Sequence, residues 1–112
     1  MVYNTAVSAT KPGNINYLSY VEAAGMFYMQ RFQLEQRISD LEHALTNLDR
    51  WAATAPADHP DRPRVFSTIG TCNSHLYVRT NDENHLTRAI SAHEIAVDST
   101  PAQDAHIPIN CV

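Results

Sequence analysis

The chain has 112 residues, 44% of them hydrophobic and 18% charged, with a formal net charge of −4. That length suits a single folded domain, and the mild acidity gives no electrostatic reason to expect nucleic acid or an anionic membrane as a partner. Two cysteines, Cys72 and Cys111, make no disulfide framework, Met1–Gly13 carries no basic–apolar leader, and no apolar run approaches the ~18 residues of a spanning helix, so a cytoplasmic setting is expected.

In chain order, residues 1–10 carry Val2, Tyr3, Ala6 and Val7 at helical spacing and read as a partial helix that ends before Lys11-Pro12-Gly13. From Ile15 the apolar positions run Leu18, Val21, Ala24, Gly25, Tyr28, Met29 and Phe32, in steps of three and four that mark one face of a helix. Ser39 and Glu42 then have capping-box spacing, which predicts a helix start at Ser39. Leu41, Ala44, Leu45, Leu48, Trp51, Ala52 and Ala55 follow at helical spacing until Pro56, which lacks an N–H and blocks continuation. The linker 56–63 closes with Asp61 as N-cap and Pro63 in the first turn of the next helix.

Val65, Phe66, Ile69, Cys72, Leu76 and Tyr77 make the third stripe, and Thr80-Asn81-Asp82 interrupts it with turn formers. Leu86, Ala89, Ile90, His93, Ala96 and Val97 make the fourth, closed by Ser99-Thr100-Pro101, and residues 104–112 read as a truncated helix start. The order is helix, turn, helix, linker, and then the same again. Shifting residues 19–63 by 45 positions pairs Gly25 with Gly70, Leu41 with Leu86, Ala44 with Ala89, Pro56 with Pro101, Ala57 with Ala102 and Pro63 with Pro108. Small residues recur where helices would touch and prolines where they would stop. This is a repeat signature, with units at 15–56 and 61–101.

The second helices, with Ala89, His93, Ala96 and Pro101 preceded by Ala44, Leu48, Trp51 and Pro56, resemble tetratricopeptide repeats. Phe66, Ile69 and Gly70 match that family's first helix, and the longer unit stretches its period of about 34 residues to 45. The run Ala55-Pro56-Ala57-Asp58-His59-Pro60-Asp61-Arg62-Pro63, then Gly70, Arg79-Thr80-Asn81-Asp82 and Leu86-Thr87-Arg88-Ala89-Ile90, is similar to large fungal "aromatic di-alanine and TPR" proteins, some of which carry a CHAT peptidase domain. That similarity covers residues 54–101. His93 and Trp51 depart from the family pattern.

The resemblance implies an all-α fold, with antiparallel helix hairpins stacked as a right-handed TPR-like α-solenoid fragment. Its concave face would bind a peptide or partner domain. By the same resemblance the groove-facing positions are Ser19, Glu22, Met26, Met29 and Gln30 in the first unit and Arg64, Ser67, Thr71, Ser74 and His75 in the second. Two units fall below the roughly three repeats usually needed for stability, so a marginal fold or self-association through open repeat ends is expected.

Two further readings stand beside the scaffold. Between Gly25 and Pro56 there is no breaker, and Leu34, Ile38, Leu41, Leu45, Leu48, Ala52 and Ala55 fit a heptad, so a continuous helix 16–55 would dimerise as a coiled coil. By the family analogy the chain could instead be a regulatory repeat region of a larger CHAT-type enzyme.

Chemistry is thinly represented. Cys72 and His75, with His85 or His93, have helical spacing for a metal, but Cys72 lies on an apolar stripe and no CxxC or HExxH accompanies it. Cys111 with His106 has nothing to orient it as a nucleophile pair. No phosphate-binding glycine loop or nucleophile elbow is present, so the sequence predicts neither an enzyme, a cofactor nor a metal.

Overall fold

A computed structural model describes residues 16–99, and all of their regular structure is helical: α1 (Tyr17–Glu35), α2 (Ile38–Thr54), α3 (Arg62–Thr80) and α4 (Glu83–Ser99). The expected partial helix 1–10 and truncated helix 104–112 lie outside the described residues. The chain divides at Pro56 and Ala57 into two units, one holding α1 and α2 and the other α3 and α4. The 45-residue recurrence extends to the backbone: both helix limits of α1 and of α2 reappear 45 positions later in α3 and α4.

In the first unit α1 and α2 form an antiparallel hairpin, since Gly25 meets Leu48, Tyr28 stacks on His43 and Arg31 faces Asp40. One partner number falls as the other rises. The two helices bury Val21, Ala24 and Phe32 from α1 together with Leu41, Ala44, Leu48 and Trp51 from α2. A fully buried side chain such as Leu41 contributes about 1.5–3 kcal/mol of apolar transfer, so most of the unit's stability rests on this seam rather than on helix propensity.

The single helix 16–55 does not form. Gln36 takes the left-handed conformation (φ 59, ψ 30) and ends α1, while Arg37 is extended and starts α2. A non-glycine residue there costs about 1–2 kcal/mol. Gln36 offsets part of that locally: its backbone N–H donates to the Phe32 carbonyl at 2.7 Å, and its side-chain Nε2 donates to the same oxygen at 3.1 Å. Nor does the capping box form, because α2 begins at Ile38 and Ser39 is already inside the first turn. Asp40 sits in that turn, where a carboxylate is favourable beside the helix N-terminus.

The second unit repeats the device with a better-suited residue. Asn81 takes the left-handed conformation (φ 59, ψ 24), and its N–H donates to the Tyr77 carbonyl at 2.7 Å. Asn adopts this region more readily than Gln. Asp61 is the N-cap of α3 with proline just inside, as the sequence predicts, although the Asp61 side chain makes no capping hydrogen bond.

Candidate partner-binding faces

The two hairpins differ in what they cover. The α3–α4 unit buries Val65, Ile69, Cys72 and Leu76 from α3, but α4 buries only Ala89, Ala92 and Ala96. Leu86, Ile90 and Val97, which the periodicity places on the buried stripe, are exposed, because three alanines on the adjoining face make the contact instead. The small residues let α4 approach α3 closely, and the larger ones are left outside.

The exposed side chains shape an open depression of about 670 Å³, floored by Leu86, Ala89, Ile90 and Val97 and edged by Ser74, His93, Glu94 and Asp98. No Lys or Arg lines it. A second, smaller depression shares His93 and Val97 and adds Pro63, Arg64, Ser67 and Ala96. His93 stands between the two, with its ring laid over Gly70 of α3. The Arg64 guanidinium lies 3.5 Å from the Asp61 carboxylate, and that of Arg62 stacks 4.6 Å from the Phe66 ring centroid while its Nε donates to Ser99 Oγ at 3.1 Å. The latter contact ties the start of α3 to the end of α4.

Of the groove positions in this unit, Ser74 borders the larger depression and Arg64 and Ser67 the smaller, while Thr71 and His75 are half-buried and line neither. In the first unit Gln30 lines a depression on α1 with Phe27, Arg31, Leu34 and Glu35. Ser19 is exposed and Met26 half-buried. Glu22 (8% exposed) and Met29 (6%) are buried, which removes them from any solvent-facing groove. Their counterparts Ser67 and Ser74 are exposed, so a burial pattern inferred from one unit does not transfer to the other.

Both hairpins carry a polar contact at the same position of the second helix. In the first, Asp40 Oδ1 lies 3.7 Å from Arg31 Nε, while Asp40 Oδ2 is buried without a hydrogen bond among the described residues. In the second, His85 Nδ1 lies 3.3 Å from the Oδ1 of buried Asn73, whose amide donates to the Ile69 carbonyl at 3.0 Å. Among the described residues no three of His, Cys, Asp and Glu come together as metal ligands, and no helix is long and apolar enough to cross a membrane. Cys72 is fully buried in α3.

No family model matches the chain, and neither a curated protein nor a solved structure matches it significantly.

Proposed function

We propose that the chain is a helical-repeat binding module, a TPR-like solenoid fragment that takes a protein or peptide partner and carries out no chemistry of its own. The observation that carries this reading is the repetition of one hairpin design at 45 residues: the same helix limits, a left-handed residue at the same place after the first helix, and a glycine under the same position of the second helix. A hairpin of this size leaves apolar side chains uncovered, and arrays of such units use those faces for stacking and for binding. The partner site is the pair of depressions joined at His93, with Arg64, Ser67 and Ser74 contributed by the first helix of the unit. An open, apolar floor edged by Glu94 and Asp98 suits an apolar segment with basic flanks.

A displayed random-peptide library panned on the full chain tests this. The reading expects enriched peptides of apolar and basic composition whose affinity falls at least tenfold with Ile90→Asp or Val97→Asp. Failure to enrich any peptide, or enrichment indifferent to both substitutions, would remove the site.

A further inference from the structure

Two exposed faces on this chain are complementary, and the sequence offset shows why. On α1, Phe27 (54% exposed) and Leu34 (85%) stand in the open with Arg31 between them. On α4, Leu86 (38%), Ile90 (54%) and Val97 (69%) stand in the open beside Glu94 and Asp98. At the positions 45 residues away the chain buries Cys72 for Phe27, Leu41 for Leu86 and Leu45 for Ile90, while Arg79 for Leu34 is exposed and Ala52 for Val97 is half-buried. Three of the five positions are thus ones that the chain buries in its other unit.

Charge separates the two faces. The α4 depression has two carboxylates at its edge and no Lys or Arg. On the α1 face Glu35 is held by Arg37 at 2.7 Å, whereas Arg31 makes only long contacts, 3.8 Å to Glu35 and 3.7 Å to Asp40. A guanidinium has five N–H donors, so Arg31 retains capacity for a partner's carboxylate. We infer that the α4 face of one chain receives the α1 face of a second copy, Phe27 and Leu34 packing on Leu86, Ile90 and Val97 while Arg31 meets Glu94 or Asp98. The two faces are different surfaces, so the contact is heterologous: each added copy presents a fresh α4 face, and such contacts build rings or open chains. A few exposed apolar side chains per face put the contact in the weak class. The inference rests on the proposed binding face, because the receiving surface is the same α4 depression; association without peptide binding and peptide binding without association are still separate results.

Sedimentation velocity of the full chain from micromolar to millimolar concentration is the test. The expected result is a weight-average mass that climbs with concentration past twice the monomer's. Leu34→Asp and Ile90→Asp, both at exposed positions, each leave the helical circular-dichroism spectrum unchanged and abolish growth. Mixed together they form a one-to-one pair and nothing larger, since one variant keeps the α4 face and the other the α1 face. Glu94→Lys with Asp98→Lys weakens association at least tenfold. A monomer at every concentration would overturn the inference, as would a closed dimer lost in Ile90→Asp but kept in Leu34→Asp, or one indifferent to the lysine pair. So would association that appears only after residues 104–112 are deleted, which would assign the α4 face to the chain's own terminus.

Discussion

The His93 ring lies where a side chain on Gly70 would have to go: a methyl group there would sit 2.6 Å from His93 Nε2. Forty-five residues earlier Leu48 stands over Gly25 in the same way, and a methyl there would sit 2.5 Å from both Cγ and Cδ2. The glycines serve one purpose, the close approach of the two helices of a hairpin, but their partners differ in freedom to yield. Leu48 is fully buried and His93 is exposed. Alanine gains about 1 kcal/mol of helix propensity at either site, and overpacking costs about 1–3 kcal/mol where the neighbour cannot move. Gly25→Ala is therefore expected to destabilise by up to ~2 kcal/mol, and Gly70→Ala to lie between neutral and ~1 kcal/mol stabilising as His93 swings outward. Urea unfolding of the two variants decides; equal effects would contradict the reading.

The turn residues give a second pair. Glycine carries no penalty at positive φ, so Gln36→Gly is expected to gain about 0.5–1 kcal/mol after the loss of the side-chain hydrogen bond to Phe32, and Asn81→Gly only a few tenths. Midpoint shifts in denaturant measure both. A loss at Gln36 would mean that its amide contributes more than the backbone strain costs.

Trp51 is the sole tryptophan and is fully buried. Trp51→Ala is expected to cost about 3–5 kcal/mol, most of the stability of a small domain, and to leave much of the chain unfolded at 37 °C. The wild-type tryptophan emission should shift to the red on unfolding. An emission already at the solvent-exposed position in the native protein would contradict its burial.

At the polar cross-link of the second unit, His85→Ala should cost about 1 kcal/mol, because Asn73 Oδ1 would be left buried without its 3.3 Å partner. The effect should vanish in an Asn73→Ala background. A double-mutant cycle with no coupling would show that the contact is not a hydrogen bond of consequence.

The repeat period, the four helices between residues 16 and 99 and the stops at Pro56 and Thr80–Asp82 were legible because prolines and turn residues act on the backbone directly. The first turn was signalled only by the helix start expected at Ser39, since Gln36 is no breaker; packing and its own hydrogen bonds to the Phe32 carbonyl hold it in the left-handed region. Which side of α4 packs was also hidden. The expected stripe held Ala89 and Ala96 together with Leu86, Ile90 and Val97, and periodicity does not say that close approach favours its smaller members. Of the groove positions, Arg64, Ser67, Ser74 and Gln30 border depressions, while burial of Glu22 and Met29 depends on neighbours that no local pattern encodes.

The account turns on each 45-residue segment being a closed antiparallel hairpin, and one distance reports on that directly. Ser19→Cys and Ala53→Cys, both at exposed positions, accept spin labels once Cys72→Ala and Cys111→Ala remove the native thiols. In the hairpin the two backbones lie on the order of 10 Å apart, the separation of packed helix axes. In one unbroken helix the steps between them, at about 1.5 Å each, would part them by roughly 50 Å. A short distance at micromolar concentration, unchanged on dilution with unlabelled protein, is the predicted result. A distance near 50 Å would contradict the hairpin and, with it, the repeat.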